Sequence, residues 1–178
     1  MAYTRDTSAQ DRLSGTEQQI VAAVEAHKNA AIDFLERIVN MNSGSMNFDG
    51  VRRVGDAFDA ELANMGFSTE WIDGESFGRA GHLFATRGTK GPHFLLVGHL
   101  DTVFELDSPF QSFERIDENK AVGPGIIDMK GGDVVMLEAI RALNVAGVLD
   151  HMTITVALIG DEESSGSPLE LGRAALVD

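Results

Sequence analysis

The sequence predicts an α/β fold, a layered mixed sheet flanked by helices. Two short apolar runs, HFLLV at 93–97 and MTITVALI at 152–159, are bounded by turn residues and are typical of buried strands. Apolar residues at helical spacing recur over about 16–40, 49–65 and 129–146. Helices that alternate with buried strands favour a sheet covered by helices.

The elements follow in a simple order along the chain. Residues 1–15 are polar and aperiodic, so we expect a loose lead-in before one domain over 16–178. Thr16 is a candidate N-cap of the first helix, and Gly66 and Gly147 are candidate C′ glycines of the second and third. We expect HFLLV to be a central strand buried on both faces. The remaining predicted elements are strands at 67–72 and 82–87, a hairpin at 113–122 and a helix from 169.

Composition narrows the class of protein. The 178 residues contain 28 acidic and 14 basic side chains, a formal charge of −14. Such a surface repels phosphate backbones and anionic lipid heads, so neither nucleic acid nor membrane is an expected partner. The chain has no cysteine, so a zinc site here must use histidine and carboxylates, the ligands typical of hydrolytic zinc.

No apolar run approaches the roughly 20 residues that a membrane span needs, and residues 1–19 contain no apolar leader region. The default prediction is a cytoplasmic protein. A leader removed by processing would leave no trace, so a periplasmic location stays open.

Candidate metal ligands follow both apolar strands. His99 and Asp101 come after HFLLV, and Glu162 and Glu163 come after MTITVALI. Ligands of open α/β sheets bind outside the carboxyl ends of the strands. His-x-Asp suits a metal ligand whose second ring N–H is held by a carboxylate. Alone, however, the pair is more typical of a buried histidine beside a turn or helix-cap aspartate.

Asp128 and the adjacent pair of glutamates show the same ambiguity. Asp128 ends the glycine-rich segment AVGPGII at the start of a helix, where it would either cap the helix or reach a metal. Glu162 and Glu163 are adjacent and repel each other unless a cation or a shared proton lies between them. In an acidic protein the pair is also consistent with a solvated turn.

Taken together, the segments GHLDTV, GPGIIDMKGG and IGDEESSGSP resemble the signature segments of a family of two-zinc metallopeptidases and deacylases. The family includes glutamate carboxypeptidase, aminoacylase, acetylornithine deacetylase and succinyl-diaminopimelate desuccinylase. The resemblance covers about residues 33–177. Each segment is weakly specific, but all three occur here in the family's order and spacing.

The resemblance implies roles for five residues. His99 and Glu163 would each ligate one Zn²⁺, and Asp128 would bridge the two ions, with Co²⁺ or Mn²⁺ as possible substitutes. Asp101 would orient His99, and Glu162 would be the general base and acid. The implied reaction is hydrolysis of an amide bond in a small peptide or an N-acyl amino acid. We expect a carboxypeptidase that releases a C-terminal residue such as glutamate.

The family completes its metal sites with a further acidic residue and a histidine, which would lie beyond Asp178. We therefore expect this chain to be the N-terminal part of a catalytic domain, weak in zinc binding and inactive alone. The lid and dimerisation domain would also lie beyond it, so a longer protein could form a homodimer.

Two other functions stay open: a deacylase of the acetylornithine or succinyl-diaminopimelate type, and a non-catalytic module that kept the fold. The remaining polar candidates are weaker. We expect His27 and Asp133 to lie at the surface and His82 and His151 at strand edges or turns. His93 begins the strand that precedes His99, far from its carboxyl end.

Overall fold

The computed structural model describes residues 13–177, so most of the predicted lead-in at 1–15 lies outside the described residues. The predicted order of helices and strands is confirmed. The elements are α1 (Gly15–Val39), α2 (Phe48–Asn64), β1 (Ser68–Asp73), β2 (Gly81–Arg87), β3 (His93–His99), β4 (Glu114–Asp117), β5 (Lys120–Val122), α3 (Gly131–Val145), β6 (Thr153–Ile159) and α4 (Leu169–Val177).

The main sheet has four strands in the order β1-β2-β6-β3, and β4 and β5 form a separate hairpin. β2 pairs antiparallel with both β1 and β6, whereas β3 pairs parallel with β6. The sheet is therefore mixed, as predicted. The parallel pair places His99 opposite Ile159, so the chain leaves both strands at the same edge of the sheet. That edge carries the candidate site.

The prediction that HFLLV is a central strand buried on both faces is wrong. β3 is an edge strand of the described sheet, and Phe94, Leu95 and Val97 are 47%, 58% and 52% exposed. β6 occupies the interior position, and its last four residues are all buried. An apolar run reports the character of a strand, but it contains no information on which neighbours cover it.

Local signals explain the helix boundaries. α1 begins with a capping box in which Ser14 Oγ accepts from the N–H of Glu17, and the Glu17 carboxylate accepts from the N–H of Ser14. Ser14 is therefore the N-cap, and the prediction of Thr16 is wrong by two residues. Gly66 and Gly147 have φ of +81° and +69°, as expected of glycines that follow a helix.

The core lies between the helices and one face of the sheet. Phe58 and Leu62 of α2 and Leu137 and Ile140 of α3 share one cluster with alternate residues of β2 and β6. The cluster members from the strands are Leu83, Ala85, Ile154, Val156 and Leu158. His82 of β2 contacts the backbone oxygen of Gly172 in α4, so α4 covers the opposite face.

Candidate metal centre

Three predicted metal ligands meet at the carboxyl edge of the sheet. His99 is the last residue of β3, Glu163 lies in the bend after β6, and Asp128 lies in the turn Ile126–Lys130 that precedes α3, with a non-helical backbone. One ligand atom from each of these residues lies within 4.8 Å of the other two. Within residues 13–177, no other set of three histidine, aspartate or glutamate side chains meets this condition.

His99 is held by hydrogen bonds at both ring nitrogens. Nδ1 lies 3.0 Å from the backbone oxygen of Asp101, and Nε2 lies 3.1 Å from Asp128 Oδ1. A carbonyl oxygen only accepts, so Nδ1 carries a hydrogen and Nε2 faces the acidic cluster. We predicted that the Asp101 carboxylate would hold this ring. Its Oδ1 is 3.6 Å from Nδ1, and the carbonyl of the same residue makes the bond instead.

The protonation of His99 follows from its surroundings. Burial of the ring lowers its pKa, but hydrogen bonds with Asp101 and Asp128 and the negative charge of Asp101 outweigh burial and raise the pKa to about 9. Without a bound cation, His99 is therefore an imidazolium at neutral pH. A metal ion that binds Nε2 must displace that proton.

The Asp101 carboxylate connects three segments. It is fully buried and accepts from Ser45 Oγ at 2.6 Å and from the backbone N–H of Glu162 and Glu163 at 3.0 and 3.1 Å. Burial raises the pKa of this carboxyl, but these hydrogen bonds and His99 outweigh it, so the pKa falls below its usual value. Asp101 therefore fixes the bend that carries both glutamates relative to the end of β3.

The two glutamates differ in their surroundings. Glu163 is half-buried, and its pKa is raised first by burial and then by the negative charges of Asp128, Asp101 and Glu162, with His99 opposing. Glu162 is exposed and does not belong to the three-ligand group. The cluster holds more carboxylates than the single imidazolium of His99 can balance, and a cation bound there would add positive charge.

Asp128 does not cap a helix. The N-cap position of α3 is Lys130, and no side chain accepts a capping hydrogen bond there. The Asp128 side chain is 73% exposed, and its oxygen contacts His99 instead. The glycine-rich sequence before Asp128 allows the chain to turn, because Gly125 adopts φ of +73° where the chain enters the turn.

Sequence reasoning missed two arginines that hold the bend after β6. Asp161 is fully buried, accepts from the N–H of Gly166 at 2.8 Å and forms an ion pair with Arg173 of α4. Arg79, just before β2, donates to the backbone oxygens of Ser164 and Ser165 at 2.7 and 2.9 Å. Arginines at these distances along the chain leave no recognisable pattern in one sequence.

Two ionisable residues at the start of α3, Lys130 and Asp133, are buried. We predicted that Asp133 would lie at the surface, and that prediction is wrong. The Asp133 carboxylate is fully buried and has no hydrogen-bond partner among residues 13–177. It lies against Gly98 of β3, where any Cβ atom would overlap Asp133 Oδ1. Burial raises the pKa of Asp133 to about 8 against the opposing charges of His99 and Lys130.

Lys130 is the second buried charge. Its Nζ donates to the backbone oxygens of Ile38 and Met41, both at 2.9 Å, and so satisfies carbonyls at the end of α1. Burial lowers its pKa to about 8, with the charge of Asp133 opposing. Lys130 therefore ties the turn that carries Asp128 to α1.

The other histidines do not join the centre. His27 is not free at the surface, since its Nδ1 lies 2.8 Å from Glu138 Oε2 of α3. His82 lies in β2 and is fully buried rather than at a strand edge. Its Nδ1 accepts from the N–H of Gly160, and its Nε2 donates to the oxygen of Gly172. His93 contacts Thr155 Oγ1.

Sequence comparisons confirm the predicted resemblance. Residues 95–178 match the family model described as Peptidase family M20/M25/M40. Carboxypeptidase G2 of Pseudomonas sp. (strain RS-16) is 35% identical over 135 residues, which cover 75% of this chain and 32% of that protein. Succinyl-diaminopimelate desuccinylase of Rhizorhabdus wittichii is 36% identical over 124 residues, which cover 66% of this chain and 30% of that protein. The chain thus spans about a third of the length of these relatives.

Solved structures share the fold. The dipeptidase Dug1p of Saccharomyces cerevisiae superposes with a TM-score of 0.71 at 17% identity and covers 90% of this chain and 37% of its own. Human carnosine dipeptidase 1 superposes with a TM-score of 0.68 at 18% identity, over 89% of this chain and 37% of its own. Among residues 13–177, no helix combines the length and apolar character needed to cross a membrane.

Proposed function

Since this chain is related to the peptidases of family M20/M25/M40, we propose that it is the N-terminal part of the catalytic domain of a zinc-dependent amide hydrolase. The observation that carries the proposal is the meeting of His99, Asp128 and Glu163 within 4.8 Å at the carboxyl edge of the sheet. These residues come from three separate segments, and a buried carboxylate, Asp101, joins two of those segments.

The donor set fits a zinc ion. One imidazole and two carboxylates are ligands that catalytic zinc uses in proteins, and the excess negative charge at Glu163 favours a cation. We propose that His99 and Asp128 would hold one ion and that Asp128 and Glu163 would hold a second. Zinc in such pairs activates water near neutral pH and polarises the amide carbonyl.

Glu162 is the proposed general base and acid. Its side chain is exposed, outside the ligand group, and next in the chain to Glu163. As the water oxygen bonds to the amide carbon, Glu162 takes a proton from that water. It passes the proton to the departing amine as the C–N bond breaks. The Asp101 carboxylate accepts a hydrogen bond from the backbone N–H of Glu162 and thereby positions this base.

For the substrate, we propose a C-terminal amino acid such as glutamate released by a metallocarboxypeptidase. The support is carboxypeptidase G2, which matches a larger share of this chain than the desuccinylase does. The alternative, an N-acyl amino acid deacylase, is supported by the similar identity of the desuccinylase. In either case each ion needs further protein ligands, because catalytic zinc commonly has three. We propose that a longer protein supplies them, together with a lid and dimerisation domain.

Zinc titration by calorimetry tests the centre. We expect weak binding to this chain and tighter binding to the full-length protein. Either His99→Ala or Glu163→Gln should abolish binding, whereas His27→Ala, on α1, should not affect it. A full-length protein that binds no zinc at micromolar concentration would support the non-catalytic module instead.

Hydrolysis by the zinc-loaded full-length protein tests the role of Glu162. Glu162→Gln should remove hydrolysis of N-acyl amino acids and short peptides and leave zinc affinity nearly unchanged. If Glu162→Gln instead removes zinc binding, the residue is a ligand rather than the base. If the unmodified protein cleaves none of a broad panel, the proposed activity is wrong.

A further inference from the structure

Residues 40–47, the connection between α1 and α2, lie against the segments that carry the candidate ligands. Their sequence, NMNSGSMN, contains no histidine, cysteine or acidic residue, so it offers none of the usual zinc ligands. Ser43 and Ser45 are nevertheless almost fully buried. Connections usually run over the surface, so this burial indicates close contact with other parts of the fold.

The first contact joins the connection to the chain after β3. The N–H of Thr102 donates to the oxygen of Ser43 at 2.9 Å, and the N–H of Ser45 donates to the oxygen of Thr102 at 3.2 Å. Between these bonds, Gly44 pairs with Thr102 as a parallel β-bridge. A Cβ atom on Gly44 would lie 2.7 Å from Glu105 Cα, so glycine allows the two segments to approach this closely.

Ser45 links the connection to the buried carboxylate of Asp101. Ser45 Oγ donates to Asp101 Oδ2 at 2.6 Å, a short bond of the kind that a hydroxyl makes with a carboxylate. The same Oδ2 accepts from the N–H of Glu163, while Oδ1 accepts from the N–H of Glu162. Because each oxygen serves a different N–H, rotation of the carboxylate would break both backbone bonds. The Ser45 hydroxyl opposes that rotation by holding one of the two oxygens.

A second contact reaches the turn that carries Asp128. Lys130, two positions after Asp128, is buried, and its Nζ donates to the oxygen of Met41 in the connection and to the oxygen of Ile38 in α1. The connection is therefore bonded to both sides of the candidate centre. It reaches the Asp128 turn through Met41 and the bend after β6 through Ser45.

We propose that residues 40–47 are the positioning element of the metal centre, and that Ser45 is the residue through which they place Glu162 and Glu163. The element holds no ligand, but it sets the position of the bend that carries both glutamates relative to the Asp128 turn. The inference rests on the proposed function, since it concerns the proposed base and ligands. Ser45 is a positioning residue and not a catalytic one, because it acts through Asp101.

Amide hydrogen exchange tests the link without metal or substrate. In the ¹⁵N-labelled chain, Ser45→Ala should speed exchange at the N–H of Glu162 and Glu163 by about tenfold, since their acceptor becomes free to rotate. Ser43→Ala is the matched control, because Ser43 is equally buried and its hydroxyl has no hydrogen-bond partner among residues 13–177. The N–H of Ile140, in the core, reports any general loss of stability. Equal exchange in the two serine variants, or an equal change at Ile140, would overturn the inference.

Metal binding and kinetics of the full-length protein test the consequence. Relative to Ser43→Ala, Ser45→Ala should bind zinc about tenfold more weakly, and its zinc-saturated form should have about tenfold lower kcat. KM should change little, because a displaced base slows the chemical step and not substrate binding. A loss of stability alone would not lower kcat of the folded, zinc-saturated protein. If Ser45→Ala does not fold, Ser45→Cys, with a similar size and a weak donor, should show the same directions.

The two tests separate this inference from the proposed activity. If the full-length protein binds no zinc and hydrolyses nothing, the proposed function is wrong, and hydrogen exchange still decides whether Ser45 holds the bend. If the unmodified protein is active and exchange responds as expected, but Ser45→Ala equals Ser43→Ala in zinc affinity and kcat, the positioning role is wrong. Faster exchange at both glutamates together with weaker zinc binding and lower kcat would support it.

Discussion

The buried carboxylate of Asp101 accepts the backbone N–H of Glu162 at 3.0 Å, although 60 positions of chain lie between them. The same carboxylate accepts from Glu163 and Ser45, while its carbonyl holds the ring of His99. One residue therefore sets the relative positions of the proposed metal ligand His99 on β3 and of the two glutamates after β6.

Asp101→Ala should weaken zinc binding by about 10- to 100-fold, because outer partners of metal ligands contribute on this scale. The change leaves one hydroxyl and two N–H groups without their acceptor, so we also expect a stability loss of about 1–3 kcal/mol for each group that stays buried. Calorimetry and urea unfolding measure both effects. Glu118→Ala, an exposed acid of the β4–β5 turn, should change neither. Unaltered zinc affinity in Asp101→Ala would contradict the positioning role.

Zinc affinity should rise with pH. The metal-free protein holds a proton on His99 up to pH about 9, and zinc must displace it. We therefore expect roughly tenfold tighter binding for each pH unit between about 6.5 and 8.5, with proton release to the buffer. Titrations in two buffers of different ionisation enthalpy count the released protons. A flat affinity over this interval would show that His99 is neutral before the metal binds.

Asp133 should make the metal-free protein less stable as pH rises. Its native pKa of about 8 lies above the ordinary value of 3.8, so the native state binds more protons between these values. Stability that is present below pH about 4 is therefore lost progressively up to pH about 8. His99, with its pKa raised from 6.5 to about 9, acts in the same direction over the upper part of this interval.

Asp133→Asn keeps the size and shape of the side chain, which fits beside Gly98 because glycine has no Cβ. The amide does not titrate, so the pH dependence due to this position is removed. The substitution should stabilise the metal-free protein at pH 7.5 by at least about 1 kcal/mol and flatten the decline between pH 4 and 6.5. Urea unfolding with a chelator present measures this. Asp107→Asn, an exposed change of equal charge, serves as the control. An unchanged pH profile in Asp133→Asn would mean that another group causes the decline.

Arg173→Ala should destabilise the fold by about 1–3 kcal/mol, because it leaves the buried Asp161 without its ion-pair partner. Arg173 is partly exposed, so the cost is smaller than for a fully buried pair. Adding Asp161→Asn should recover part of the loss, and the double-mutant cycle gives the coupling between the two. Strict additivity would show that the pair contributes nothing.

The meeting of His99, Asp128 and Glu163 could be predicted because each follows a strong local pattern: the ends of two apolar runs and a glycine-rich turn. The burial of Asp133 and Lys130 could not, because it depends on how α3 packs against β3 and α1. Gly98 leaves the space that Asp133 occupies, but a lone glycine in a sequence has many other uses. The edge position of β3 likewise depends on which strands pair, a property that an apolar run does not report.

The parallel pairing of β3 with β6 has a consequence for when the proposed metal centre can form. His99 and Glu163 come together only after segments about sixty residues apart have joined, a slow and entropically costly contact. Isolated stretches of the unfolded chain offer a metal at most one or two of the three ligands. We therefore expect the centre to form only once β3 and β6 have paired, and a bound ion would stabilise that pairing.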